Sequence, residues 1–190
     1  KIDDELLEAC AQQSRLAQQK LYEICFHMLM PVCYRYQNNE EDARAQLNIG
    51  FLKICNNIEK YSRKVPFEAW AKRIMINTLI DEFRKTKKYK EHIQTRETER
   101  ELDYFSSASQ NNVWDTLEEE NVLALLEVLP EISKRVFNLH IIEGYTHKEI
   151  GDLLGMSDGT SKWHLSNARK ILKQALEKIN NAENANRIAI

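Results

Sequence analysis

Glycine and proline are scarce, with five and three residues in a chain of 190. An all-β protein turns often and needs both, so the composition argues for helices. The cysteines Cys10, Cys25, Cys33 and Cys55 show no C-x-x-C spacing and fall inside helical patterns, which argues against a metal site or disulfides. Reduced thiols in a cytoplasmic protein are expected instead. No run of about 18 apolar residues occurs, so no membrane insertion is expected. No charged-then-apolar secretory leader is seen. A Gly-rich phosphate loop, HExxH, GxSxG and a Cys/His ligand cluster are all missing, and the histidines at 27, 92, 140, 147 and 164 are scattered. Neither an enzyme, nor a metal site, nor a cofactor is expected.

Charge is balanced in total and uneven in place. The net charge is −2, yet residues 60–90 carry ten basic and three acidic groups, and residues 91–130 carry two and ten. Adjacent blocks of opposite sign suit a protein with localised contacts to a polyanion.

Leu126–Leu172 holds the clearest local signals. Its pattern is a helical hairpin followed by a helix-turn-helix. Thr146 and Glu149 are spaced as a capping box, Ile150, Leu153 and Leu154 form one apolar face, and Gly155 can close the helix in the left-handed conformation. Ser157 caps the next helix and Asp158 complements its dipole. Two helices joined by a three-residue turn with glycine are a DNA-reading geometry, with the second helix offered to the major groove. At about 100° per residue, Ser161, Leu165, Ala168 and Leu172 share the inward face. Gly159, Trp163, Ser166, Asn167 and Lys170 lie opposite, flanked by Lys162 and Arg169 on one edge and His164 on the other. Any surface helix has a polar outer face, but an outward indole is unusual. A thymine methyl or a partner surface would use it.

Elsewhere the pattern predicts a short helix over 4–13 and a longer one over Arg15–Tyr36, with Leu21, Ile24, Cys25, Met28 and Val32 inward and a kink or break at Pro31. A third helix, Glu40 to about Tyr61, buries Leu47, Phe51, Ile54 and Ile58. A fourth, Phe67–Tyr89, has Ile76, Leu79, Ile80 and Phe83 on one face. Its second stripe, Phe67, Trp70, Ile74, Asn77, Asp81, Arg84 and Lys88, passes from aromatic to polar to basic. Two readings fit that stripe: a helix buried on two sides near its start, or a surface where bases stack and phosphates are held. The expected fold is therefore all-α, with two helical domains (1–90 and 117–180) joined by a flexible acidic linker (91–116). The second domain contains the helix-turn-helix, and residues 181–190 form a frayed tail.

With these segments placed, the chain resembles the extracytoplasmic-function (ECF) group of bacterial RNA polymerase sigma factors over about Asp4–Lys178. FEAWAKRIMINTLIDEFRK (Phe67–Lys85) is similar to the group's second conserved region, matching F-x-x-W-x-x-R-I-x-x-N-x-x-x-D-x-x-R at Phe67, Trp70, Arg73, Ile74, Asn77, Asp81 and Arg84. Leu129–Lys170 is similar to the fourth region. The resemblance implies that residues 1–90 dock on core RNA polymerase and open the minus-ten promoter element through Phe67, Trp70, Arg73, Asn77, Asp81, Arg84 and Lys88. It implies that Lys162, Trp163, His164, Ser166, Asn167, Arg169 and Lys170 read the minus-thirty-five element, and that an anti-sigma factor holds the protein inactive. The docking surface would comprise Glu41, Asp42, Arg44, Ala45, Asn48 and Ile49. Here the chain departs from the group, which favours an acidic pair and a Gln-Glu pair where Arg44, Ala45, Asn48 and Ile49 stand. It also departs at His164 and Asn167, where arginine is usual. The implied function is a promoter-specificity subunit. The competing reading is a self-contained helix-turn-helix regulator, which has no need of the Phe67–Lys88 helix.

Overall fold

The computed structural model describes residues 2–37, 39–94 and 125–188, with side chains described to residue 86 in the first stretch of helices and to residue 179 in the second. All regular structure among the described residues is helical. The chain divides into two compact units, Lys1–Thr98 and Glu99–Ile190.

The first unit is built from four helices: α1 (Asp4–Ala11), α2 (Arg15–Tyr36), α3 (Glu40–Asn57) and α4 (Phe67–Gln94). Side-chain caps start the first three, with Asp3, Ser14 and Asn39 accepting from Leu6, Ala17 and Asp42 backbone N–H groups. Helix α1 stops at Ala11, two residues short of the expectation, because Gln13 takes a left-handed φ of 60°. Helix α2 runs without a break through Pro31. That proline is exposed, so the carbonyl it leaves unpaired can be hydrated, and Arg35 Nη1 donates to the Pro31 carbonyl at 3.1 Å. Helix α3 tightens into a 3₁₀ turn at Ile58–Lys60 before Tyr61.

Leu21, Cys25, Leu29, Leu47, Ile54, Met75, Leu79 and Ile80 form the fully buried centre of this unit. Burying side chains of this size contributes about 1.5–3 kcal/mol each. Gly50 fixes how closely α3 approaches α4. A Cβ there would lie 1.9 Å from Met75 Cε, so any side chain would push the helices apart or displace the methionine. Ile24, Met28, Phe51 and Phe83, expected in the core, are half-buried. The four cysteines are free. Burial pushes the Cys25 and Cys33 thiols up to about 12, which keeps them protonated and poorly nucleophilic at neutral pH.

The second unit begins its described part with a helical turn at 125–127, followed by α5 (Glu131–Phe137), one π turn (Asn138–Ile142), α6 (His147–Leu154) and α7 (Asp158–Ile188). Leu126, Leu129 and Ala168 cluster with half-buried Phe137, Ile171 and Leu172. Val136, Leu139 and Ile150 are also fully buried. Two charged side chains join them unexpectedly. Lys134 is buried in an ion pair with Glu127, and Arg135 is buried in one with Glu131.

Two segment boundaries differ from the sequence expectation. Helix α4 extends four residues into the expected linker, to Gln94; the rest of that linker lies outside the described residues. The expected frayed tail is helical to Ile188. No glycine or proline follows Gly159, so a helix already nucleated by packing propagates at little cost.

Candidate nucleic-acid interface

Helices α6 and α7 meet through Gly155, Met156 and Ser157. The capping box at Thr146 is complete. The Glu149 N–H donates to Thr146 Oγ1, and the Thr146 N–H donates back to Glu149 Oε2 at 2.8 Å. Gly155 has φ 69° and ψ 43°, the left-handed conformation that reverses the chain within three residues. Ser157 Oγ then accepts from the Thr160 N–H at 3.0 Å and starts α7. The turn is thus built from backbone conformation and local caps.

Helix α7 buries Ser161, Leu165 and Ala168, while Leu172 is half-buried. On the other side Gly159, Trp163, Ser166 and Lys170 are exposed, Lys162 and Arg169 are exposed at the edge, and Asn167 is half-buried. Trp163 is 61% exposed. Lys162 Nζ pairs with Asp158 at 2.6 Å, which offsets part of its charge.

His164 is not offered outward as its place at the helix edge suggested. Its Nδ1 lies 3.0 Å from Ser133 Oγ on α5, and burial lowers its imidazole below the ordinary value. Two histidines that look scattered in sequence are also brought together. The rings of His140 and His147 stack at 4.3 Å between centroids. His140 Nδ1 donates to the Tyr145 carbonyl at 2.8 Å, and His147 Nδ1 lies 2.9 Å from the fully buried Ser161 Oγ on α7. Burial first, then the charge of His140, lowers the His147 imidazole; Lys162 and Arg169 act in the same direction, and Asp158 opposes them. Among the described residues no group of three or more His, Cys, Asp or Glu side chains could hold a metal.

In the first unit, Phe67 is only 4% exposed and is held edge-on by Tyr61 at 5.6 Å. It is a core residue, and buried packing leaves its ring no face for a base; this corrects its placement among base-contacting residues. Trp70 is half-buried, 5.2 Å from the Tyr61 ring and 5.5 Å from Phe67. Tyr61 was not singled out by sequence, yet it organises this corner. Its hydroxyl donates to the Val65 carbonyl at 2.6 Å and closes the loop before α4. Arg63, in the same loop, has φ 57° and pairs with Asp4 and Glu8. Further along α4, Arg73, Asn77 and Arg84 are exposed, and Asp81 faces Lys53 of α3 at 3.4 Å. The side chain of Lys88 lies outside the described residues.

On α3, Glu41, Asp42, Arg44, Ala45, Asn48 and Ile49 are all exposed. Asp42 is engaged by Asn39 Nδ2 at 2.8 Å. The Arg44 guanidinium pairs with Glu40 at 2.7 Å and lies 5.9 Å from the centre of the Phe26 ring. Asn48 Oδ1 accepts from the Tyr22 hydroxyl at 2.8 Å. Exposed Leu52, three residues beyond Ile49, extends its apolar surface.

No described helix is long and apolar enough to cross a membrane. Residues 21–89 match the family described as Sigma-70 region 2, and residues 119–172 match Sigma-70 region 4. RNA polymerase sigma factor SigV of Bacillus subtilis (strain 168) is 25% identical over 147 residues, covering 77% of this chain and 83% of its own length. ECF RNA polymerase sigma factor SigW of the same organism is 27% identical over 167 residues, covering 83% of each. The sigma factor RpoE, solved in complex with the anti-sigma factor NepR from Bartonella quintana, aligns with a TM-score of 0.51 at 16% identity, over 84% of this chain and 96% of that one, a likeness of fold. With both Sigma-70 regions present in order on one chain, the protein belongs to the sigma-70 family of RNA polymerase sigma factors and is similar to its extracytoplasmic-function group.

Proposed function

We propose that this chain is a promoter-specificity subunit that binds core RNA polymerase and directs transcription initiation by reading and opening promoter DNA. The observation that carries this is the pairing, in one chain, of a capped helix-turn-helix with a sigma region-2 unit whose long α4 helix exposes Arg73, Asn77 and Arg84. The α7 face would read the minus-thirty-five element. Trp163, Ser166, Asn167 and Lys170 lie toward bases, and Lys162 and Arg169 toward phosphates. The first unit would capture the opened minus-ten element near Trp70 and Asn77, with Phe67 supporting Trp70 from beneath. The exposed side of α3 would meet the polymerase clamp. The subunit supplies recognition, while polymerase supplies the chemistry. Its place of work is the cytoplasm, and an anti-sigma factor, as NepR is for RpoE, is its regulatory partner.

Run-off transcription with core polymerase on a genomic promoter pool tests this. A discrete set of transcripts that depends on the added chain is expected. Tight duplex binding by the chain, with no transcription from added core, would favour the self-contained regulator instead.

A further inference from the structure

Trp163 is the most exposed large apolar side chain among the described residues of the second unit, at 61% against 46% for Ile141 and 45% for Leu176. It is the sixth residue of α7, within the N-terminal turns that a recognition helix presents to base edges. We infer that Trp163 is a specificity determinant that reads one thymine of the upstream promoter element through its C5-methyl group, with His164 and Ser133 as positioning residues. This rests on the promoter-binding reading above.

The surroundings of the indole favour a nucleic acid over an apolar protein surface. Lys162, Ser166, Arg169 and Lys170 are exposed around it, and the nearby acid, Asp158, is already paired with Lys162. An apolar partner would have to desolvate those cations, whereas phosphates would be attracted to them. One helical turn before Trp163 stands Gly159. A Cβ placed there would meet only Ser157 Oγ, at 3.7 Å, so the helix surface beside the indole is bare.

The ring is also braced. His164 packs edge-on to it, with centroids 4.9 Å apart and planes at 77°. His164 in turn lies 3.0 Å from Oγ of Ser133, which is 1% exposed. The order of support runs from a buried hydroxyl to an imidazole to the indole. A side chain held this way loses little freedom on binding.

The chemistry narrows the target. Indole offers an apolar body and one N–H donor, with no acceptor for the amino groups of cytosine or adenine. The apolar group displayed in the major groove is the thymine methyl. Indole N–H could also donate to thymine O4, and deoxyuridine separates the two contacts because it keeps O4 and lacks only the methyl.

The test uses the full chain, alone and with core polymerase, on a duplex selected from genomic promoter DNA by its binding to the chain. Each upstream thymine is replaced singly by deoxyuridine and binding is measured by competition. One position should weaken binding about fourfold, the scale of one methyl group removed from water. In Trp163→Ala the thymine and uracil duplexes should bind alike, and Trp163→Phe should keep part of the ratio. His164→Ala and Ser133→Ala should shrink the thymine-to-uracil ratio, which is read within each variant and does not depend on how much protein is folded. The inference is overturned if no single replacement weakens the wild type, or if Trp163→Ala loses equally on promoter and scrambled DNA. It is also overturned if Trp163→Ala binds DNA normally but assembles poorly with polymerase, which would make the indole a protein contact. A chain that discriminates thymine from uracil yet never initiates transcription would uphold this inference and defeat the promoter-subunit reading.

Discussion

The two units present their candidate contacts in opposite ways. In the second, the outer side chains of α7 stand clear of the fold: Trp163, Ser166 and Lys170 are exposed while the packing is done by Ser161, Leu165 and Ala168 on the other side. In the first, several of the corresponding residues are already engaged with their own unit. Phe67 is locked with Tyr61, Asp81 faces Lys53, Asn48 holds Tyr22, and Arg44 pairs with Glu40. A surface separated from its core can change its specificity without changing stability. A residue woven into its core cannot, so recognition and folding should be separable by mutation in the second unit and entangled around Phe67 in the first.

The sharpest break of that contrast comes from two aromatic truncations. Phe67→Ala should destabilise the first unit by about 3–5 kcal/mol, because it empties a buried site between Tyr61 and Trp70. Trp163→Ala should change stability by no more than about 0.5 kcal/mol. Chemical denaturation of both variants measures this, and equal losses would abolish the distinction. Next in size is the turn. Gly155→Ala places a Cβ at φ 69° and should cost about 1–2 kcal/mol, and Thr146→Ala should cost about 1 kcal/mol through the lost cap. Both should weaken binding to every duplex alike, since they move the whole recognition helix; a change in base preference from either would mean the turn acts locally.

Acidification gives a smaller effect, confined to one unit. His147 and His164 have folded-state values below their ordinary ones, chiefly through burial, so the folded unit binds fewer protons than the unfolded chain. Their contribution to stability is present above the ordinary histidine value and declines as pH falls through and below about 6.5. Thermal melting between pH 7.5 and 5 should therefore show the second unit weakening, and His147→Gln should blunt the decline. The smallest expected change is Arg44→Ala. Its pair with Glu40 is exposed, so stability should shift by no more than about 0.5 kcal/mol. Titration against core polymerase is the informative readout there: unchanged affinity would argue that this side of α3 is not the docking surface.

Local chemistry made the second unit readable from the chain alone. Thr146, Glu149, Gly155 and Ser157 act over three to four residues, and each sits where its pattern placed it. Helical periodicity likewise placed α2, α3 and α4, because apolar spacing at 3.6 residues per turn is a property of the sequence. The two family patterns, one around Phe67–Lys85 and one over Leu129–Lys170 with its departures at His164 and Asn167, are also legible in the amino acids themselves.

What the sequence left open depended on which residues meet across distance. Nothing local says that Lys134 and Arg135 are buried, since their partners Glu127 and Glu131 compensate charges that composition assigns to the surface. Nothing local says that His164 turns to Ser133 or that His140 stacks on His147, because those residues approach only once α5, α6 and α7 have packed. Phe67 and Trp70 share one aromatic pattern, yet the packing of Tyr61 makes the first a core residue and leaves the second half-exposed. Periodicity specifies which face of a helix is apolar; only the tertiary structure, by choosing what that face is pressed against, decides which side chains remain available to a partner.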